Sequence, residues 1–356
     1  MVIPTRARPG PLARCIAALV RQTLAPAATQ IVVVFDGPPE SPPDSMPALP
    51  EHPGLVTITA PRLGNAHAKN VGIEAARAPV VLFLNDDVLP APGLLAAHLD
   101  AHARATSAPA MVLGHSPFVR RVDDTLFHHL IRETSMVFFY DRMIDRHGLS
   151  LRPADHDWGY RHAWTLNLSV PREALVEVGG FRPALANCCY EDVELGWRLS
   201  KELGSPLLFR PDAAAPHDHR FTPDGYLDRE HRLGYSAFGF AHAAADCARH
   251  LFGRDLLAPD EIAYARAFIE HEAGREPDQL RAFHATARMP ESAADLGASC
   301  DNRPMQDLSY TQHVPLKKLA FRRGFLHAAS GGRLPGLFHP ADALPVEPPL
   351  RAAVEA

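Results

Sequence analysis

Short apolar runs alternate with helical patterns over the first hundred residues of this chain. Residues 31–35 form a continuous, mostly β-branched run, which is typical of a parallel strand buried on both faces. Similar patterns predict strands at residues 1–3, 55–59 and 79–84 and helices at residues 11–22 and 64–76. Strands that alternate with helices predict an α/β fold: a mostly parallel central sheet, flanked by helices and joined by right-handed crossovers.

The pattern becomes less regular after residue 108. Strands are predicted at residues 111–114, 164–170 and 207–209, and helices at residues 171–178, 191–203, 226–250 and 259–271. Residues 290–313 are polar and predict a loop, and the last twenty residues are rich in Pro and Ala and predict a loose end. We therefore expect a sheet-containing domain at residues 1–220, followed by a mostly helical extension at residues 221–356.

Polar residues follow three of the predicted strands. Thr5, Asp36 and the pair Asp86-Asp87 each stand where a strand ends. In open parallel sheets, ligands bind at the carboxyl ends of the strands. The three strand ends are therefore expected to converge on one binding crevice.

Composition and charge narrow the class of protein. The net charge of −5 over 356 residues lacks the basic excess typical of nucleic-acid binding. The five cysteines include no CxxC pair, which favours a reducing compartment over a disulfide framework. The sequence has no apolar run of about 20 residues and no signal-peptide pattern at its start, so we expect a cytoplasmic protein, with peripheral membrane contact as an option.

The segment Asn85-Asp86-Asp87 ends a buried apolar run and allows two interpretations. Adjacent carboxylates at a buried strand end usually need a compensating cation, and Mg²⁺ or Mn²⁺ would suit these oxygen ligands and bridge to nucleotide phosphates. Asn and Asp are also common in solvated turns. The motif alone leaves both interpretations open.

Glu191 and Asp192 stand at the start of a predicted helix. Acidic residues in a first helical turn are stabilised by the helix dipole by roughly 0.3–1 kcal/mol, so a structural role accounts for one of them. The functional alternative makes Asp192 a general base that takes a proton from an acceptor hydroxyl.

Two further basic features are candidates for the same site. His217, in the run His217-Asp218-His219, is a candidate additional ligand for an ion at Asp87, whereas a separate zinc site lacks a second ligand cluster. Lys69 is either a cation that neutralises a diphosphate or a solvated surface lysine. The glycines near it form neither a GxGxxG motif nor a P-loop.

Taken together, these segments resemble the family-2 glycosyltransferases. The matching segments run in order over residues 1–220: Val2-Ile3-Pro4-Thr5-Arg6 with Arg8-Pro9, Ile31 to Gly37, Gly64-Asn65 with Lys69-Asn70-Val71-Gly72-Ile73, Phe83-Leu84-Asn85-Asp86-Asp87, Gly179-Gly180-Phe181, Tyr190 to Leu199, and Pro211-Asp212 to His217. Seven segments in the correct order and spacing are far more specific than any one of them.

The resemblance implies a GT-A fold and transfer of a sugar from a nucleotide-sugar donor to an acceptor nucleophile, with a divalent cation (Mn²⁺ or Mg²⁺) as cofactor. It also implies roles for named residues: nucleotide-sugar binding by Thr5, Arg6, Asp36, Lys69, Asn85 and Asp86, metal binding by Asp87 and His217, inverting base catalysis by Asp192, and acceptor orientation by Glu191. Thr5 and Asp36 would contact the nucleobase and its ribose.

Two departures from the family pattern affect these expectations. Asn85 replaces the usual first aspartate of the DxD motif, which leaves its role toward ribose or metal open. Asp36 is followed by Gly37-Pro38-Pro39 instead of the usual Gly-Ser stretch, so the family's nucleobase preference does not carry over.

Other functions and partners also stay open. The competing functions are a nucleotidyltransferase, an inactive nucleotide-sugar-binding protein and a retaining transferase. The acceptor classes are saccharides, lipids, peptides and small metabolites. Residues 316–326 mix basic and apolar side chains at near-helical spacing, which suits either an anionic membrane surface or a helix packed on the rest of the protein with a solvated basic face.

Overall fold

The computed structural model describes residues 1–6, 8–38, 48–105, 108–296, 305–337 and 339–341. The predicted loose end lies mainly outside these residues, since residues 342–356 are not described.

A single mixed sheet forms the centre of the described protein. Its strands are β1 (Val2–Thr5), β2 (Ile31–Asp36), β3 (Leu55–Ala60), β4 (Val80–Leu84), β5 (Met111–His115), β6 (Asn167–Pro171) and β7 (Leu207–Ala214). Their spatial order is β3-β2-β1-β4-β6-β5-β7. The pairs β1–β2, β2–β3, β1–β4 and β5–β7 are parallel, and β6 runs antiparallel to β4 and β5. The predicted mostly parallel α/β sheet is confirmed.

Both faces of this sheet are covered by helices, as the apolar runs predict. The helices are α1 (Pro9–Leu19), α2 (Asn65–Ala75), α3 (Leu94–Arg104), α4 (Leu126–Glu133), α5 (Arg172–Glu177), α6 (Glu191–Leu203), α7 (Pro223–Ala243), α8 (Ala245–Phe252), α9 (Pro259–Glu272), α10 (Glu276–Ala287) and α11 (Met305–Ala329). Val32 and Val34 of β2 face a core that includes residues of α2 and α6, whereas Val33 faces a core that includes residues of α1 and α3.

Two helix predictions need correction. The predicted helix at residues 226–250 is divided, because Ala244 adopts a non-helical backbone (φ −143°, ψ 58°) between α7 and α8. The loop predicted at residues 290–313 is wrong for its last part, since α11 begins at Met305. The buried face of α11 includes Ser309 and His313, so its polarity concealed the helical pattern.

The helices after β7 share apolar cores with the sheet region. Phe240 of α7 packs in one cluster with Leu185, and Tyr226 of α7 packs in another with Phe127 of α4. None of the helices in the described residues combines enough length with enough apolar character to cross a membrane. The domain boundary at residue 220 stays a prediction.

The segment 316–326 lies within α11 and packs inward. Leu316, Leu319 and Phe325 are buried, and Arg323 pairs with Glu276 of α10 at 2.5 Å. These contacts favour the packed-helix interpretation of this segment.

Candidate active site

Three strand ends meet in one crevice, as expected for adjacent parallel strands. Thr5 ends β1, Asp36 ends β2, and Asn85, Asp86 and Asp87 follow β4. A cavity of about 330 Å³ opens there. It is lined by Pro4, Thr5, Arg6, Arg8, Asp36, Asn65, Asn85 and Asp86.

Asp36 is buried and holds the loop that follows β3. Its Oδ1 accepts a hydrogen bond from the Gly64 amide at 2.9 Å, and its Oδ2 accepts one from Arg6 Nε at 3.0 Å. Gly64 has a φ of 108°, and a Cβ added there would lie 2.1 Å from Asn187 Oδ1. Only glycine suits this turn, which brings α2 close to the crevice.

Asp86 is buried between Thr5 and Arg8. The Thr5 hydroxyl donates to Asp86 Oδ2 at 2.6 Å, and Arg8 donates to both carboxylate oxygens of Asp86. Burial raises the pKa of Asp86, while the charge of Arg8 acts in the opposite direction. A carboxylate this enclosed is not part of a solvated turn.

Asp87 contacts two histidines and an arginine. His217 Nε2 lies 3.1 Å from Asp87 Oδ1, His219 Nδ1 lies 3.5 Å from Oδ2, and Arg8 Nη1 donates to Oδ2 at 2.8 Å. Burial opposes ionisation, but hydrogen bonds from the two histidines and the charge of Arg8 hold the pKa of Asp87 well below its usual range. Asp87 is therefore ionised at neutral pH.

These three residues fit a divalent metal ion. One ligand atom each from Asp87, His217 and His219 lie within 4.8 Å of one another. A carboxylate with two imidazoles suits first-row transition ions, and manganese also accepts oxygen ligands readily. The backbone tethers this cluster, because the Asp218 amide donates to the Asp87 carbonyl at 2.7 Å.

Lys69 is buried inside the protein, with only 1% of its side chain exposed. Its Nζ lies 3.0 Å from Glu191 Oε1 and donates to Thr165 Oγ1 at 2.6 Å. Asn65 Nδ2 donates to the same Glu191 oxygen at 3.1 Å. The solvated-lysine interpretation is therefore wrong. The ammonium binds Glu191 and does not line the crevice.

Asp192 lies in the first turn of α6 next to this ion pair. Burial and the charge of Glu191 raise the pKa of Asp192 and the charge of Lys69 lowers it, so that the pKa lies at about 7. Asp192 Oδ1 accepts a hydrogen bond from the Val193 amide at 2.8 Å, and the Thr165 backbone also lowers the pKa of Asp192. A carboxyl group that titrates near neutrality is suited to general-base catalysis.

The structure adds residues that the sequence interpretation did not include among the site residues. They are Arg8, Asn65, Thr165 and His219. The sequence could have predicted His219 as a ligand beside His217, because side chains two residues apart in an extended segment point to the same side. No signal in the sequence pointed to Thr165. It lies just before β6, and its contact with Lys69 joins residues 96 positions apart in the chain.

The fold and the crevice define the class of protein as one with the GT-A fold of glycosyltransferases. A solved structure of the same fold is "Mannosyltransferase PcManGT from Pyrobaculum calidifontis in complex with GDP-Man and Mn2+". The similarity has a TM-score of 0.51 at 19% identity, and it covers 90% of this chain and 85% of that chain. This similarity shows the fold.

The sequence comparison gives a similarity to one family. The family model "Glycosyl transferase family 2" matches residues 1–166. The resemblance found in the sequence is thereby confirmed.

Two curated relatives are also glycosyltransferases. Validoxylamine A glucosyltransferase of Streptomyces hygroscopicus subsp. limoneus is 30% identical over 243 residues, covering 61% of this chain and 51% of the relative. Pre-mycofactocin glycosyltransferase of Mycobacterium tuberculosis is 29% identical over 251 residues, covering 67% of this chain and 46% of the relative. The chain thus spans about half the length of these relatives.

Proposed function

We propose that this chain is a metal-dependent glycosyltransferase. It moves a sugar from a nucleoside-diphosphate sugar to an acceptor hydroxyl by an inverting single displacement. The observation that carries the proposal is the short segment joining the base to the acidic strand end. The backbone of Thr165 lowers the pKa of Asp192, and the carbonyl of the next residue, Leu166, accepts from the Asn85 amide at 3.3 Å.

The donor would lie in the crevice at the ends of β1, β2 and β4. Thr5, Arg6 and Asp36 would contact the nucleoside, and Asn85 and Asp86 the ribose and diphosphate. Asp87, His217 and His219 would hold the cation, which in this chemistry stabilises negative charge on the leaving diphosphate. The complex of the mannosyltransferase with GDP-Man and Mn²⁺ supports a nucleotide-sugar donor and a divalent ion.

Asp192 would take the proton from the acceptor hydroxyl. Because its pKa is raised to about 7, about half of it is ionised at neutral pH, and the carboxylate is basic enough to accept a proton. Glu191 would orient the acceptor, and Lys69 would hold Glu191 in place. In this arrangement Lys69 acts through Glu191 and Asp192. From the sequence, Lys69 is instead expected to bind the diphosphate.

A donor screen tests this function without a known acceptor. Purified protein is incubated with a panel of nucleotide sugars, with Mn²⁺, with Mg²⁺ and with a chelator, and release of nucleoside diphosphate is measured. We expect slow, metal-dependent hydrolysis of one donor and loss of it in Asp87→Asn. Binding without hydrolysis would indicate an inactive binding protein, and release of pyrophosphate from a nucleoside triphosphate would indicate a nucleotidyltransferase.

The acceptor is the next unknown to resolve. Once the donor is identified, saccharide, lipid, peptide and small-molecule acceptors are screened for transfer with that donor. The anomeric configuration of the product then separates an inverting from a retaining enzyme.

A further inference from the structure

Arg8 covers the two carboxylates of the acidic strand end. Its Nη1 donates to Asp87 Oδ2 at 2.8 Å, its Nε donates to Asp86 Oδ2 at 3.3 Å, and its Nη2 also pairs with Asp86. The side chains of Asp86 and Asp87 are 3% and 4% exposed, whereas that of Arg8 is 46% exposed. The guanidinium therefore approaches the buried carboxylates from the open side of the crevice.

This arrangement conflicts with a cation at Asp87. The oxygen that accepts from Arg8, Asp87 Oδ2, is also the carboxylate oxygen nearest to His219. A divalent ion held by Asp87 and His219 would compete for that oxygen and would repel the guanidinium. Among the described residues, the hydrogen bonds of the Arg8 side chain go to Asp86 and Asp87 alone, so nothing else on the protein holds it there.

A displaced Arg8 has a suitable new partner in the proposed donor. Arg8 lines the same cavity as Thr5, Asp36 and Asn85. A guanidinium binds phosphate oxygens through paired hydrogen bonds as well as it binds carboxylates. The side chain is half exposed and directly precedes α1, so it can turn within the crevice while the helix stays in place.

We propose that Arg8 is an exchangeable counter-ion: it holds Asp86 and Asp87 in the cation-free protein, is displaced when a divalent ion binds, and then binds the donor diphosphate. This inference rests on the proposed function. It makes cation and donor binding cooperative, because the cation releases the arginine that the donor uses.

The test measures Mn²⁺ binding to nucleotide-free protein and then nucleoside-diphosphate binding at saturating Mn²⁺, both by calorimetry. For Arg8→Met we expect opposite changes: Mn²⁺ alone binds about fivefold tighter or more, and the diphosphate binds about fivefold more weakly or worse. The diphosphate probe is whichever of UDP, GDP, ADP and CDP binds the unmodified protein most tightly.

Arg14→Met is the matched control. Arg14 is also half exposed and donates to an acid, Asp218, at 2.8 Å, but it does not contact Asp86 or Asp87. Asp218 keeps a second partner in Arg121, so this variant removes a nearby positive charge without exposing an unpaired acid. We expect both affinities to stay near those of the unmodified protein.

Equal or weaker Mn²⁺ binding by Arg8→Met would overturn the inference and make Arg8 a fixed structural partner. If that variant does not fold, Arg8→Lys decides: its single ammonium cannot span both carboxylates, and unchanged Mn²⁺ affinity would again contradict the inference. Metal-dependent donor hydrolysis by the unmodified protein is measured in parallel. If it occurs while the Arg8 variants bind Mn²⁺ normally, this inference fails and the proposed function stands.

Discussion

Lys69 and Glu191 form a buried ion pair, with Nζ 3.0 Å from Oε1, next to the carboxyl group of Asp192. The ammonium also lies 4.9 Å from the centre of the Phe181 ring and donates to Thr165. These contacts connect Lys69 of α2 to the start of α6. The pair therefore adds two opposing charges to the effect of burial on the proposed base.

The first prediction concerns the pH dependence of transfer. Asp192 must be ionised to accept a proton, so kcat/KM should fall about tenfold per pH unit below a pKa of about 7. Lys69→Met removes a charge that lowers the pKa of Asp192 and should move this limb to higher pH. Glu191→Gln removes a charge that raises this pKa and should move the limb to lower pH.

Lys201→Met is the control for this experiment. Lys201 lies near the other end of α6 with its ammonium over the Trp197 ring at 4.4 Å. Its removal should leave the pH profile unchanged. Identical limbs for Lys69→Met and the unmodified protein would show that Lys69 does not act on the base.

The second prediction concerns Asp192→Asn. It should lower transfer by about 10²–10⁴-fold while the donor still binds, because the amide cannot take a proton. Turnover at the original rate would remove Asp192 from the mechanism.

The same variant should be more stable above neutral pH. The pKa of Asp192 is raised to about 7 in the folded protein, so the native state loses stability as pH rises from about 4 to about 7. Asparagine removes this cost, so Tm should rise at pH 8 and change little at pH 4. Thermal unfolding at the two pH values measures the difference.

The third prediction concerns the metal ligands. His217→Asn and His219→Asn should each weaken Mn²⁺ binding at least about tenfold, which corresponds to about 1.4 kcal/mol. Asp218→Asn is the control, since Asp218 lies between the two histidines in sequence but pairs with Arg14 and Arg121. If His219→Asn binds Mn²⁺ as tightly as the unmodified protein, the site has one histidine ligand.

The fourth prediction concerns the packing of α11 on α7. A Cβ on Gly234 would lie 1.8 Å from the Phe321 carbonyl oxygen, and a Cβ on Gly324 would lie 1.8 Å from that of His231. Gly234→Ala and Gly324→Ala should therefore destabilise the protein by roughly 1–3 kcal/mol, because the helices must separate. Gly274→Ala has open space around it and should be close to neutral in denaturant unfolding.

The fifth prediction concerns membrane contact by residues 316–326. Leu316, Leu319 and Phe325 of this segment are buried, and Arg322 lies over the Phe268 ring at 4.2 Å. Folded protein should therefore not sediment with anionic liposomes through this segment. Sedimentation that is lost in Lys318→Gln, which removes an exposed charge of the segment, would contradict this expectation.

Local patterns predicted the sheet and the acidic strand end well. The runs that became β2 and β4 are continuous and apolar because both faces of these strands are buried, and this signal is contained within a few residues. The grouping of Thr5, Asp36 and Asp86 followed from the same pattern, since parallel neighbours end at one edge. The helix α11 was missed in its first turns because its buried face includes polar residues.

By itself, the sequence determined the strands β1, β2 and β4 and which polar side chains stand at or just after their ends. The tertiary structure decided what those side chains contact. It turned Lys69 away from solvent toward Glu191, brought Arg8 onto Asp86 and Asp87, and added His219 to the cluster. The physical reason is that strand and helix patterns are short-range, whereas these charges are paired across 78 to 132 residues of chain by the packing of distant segments.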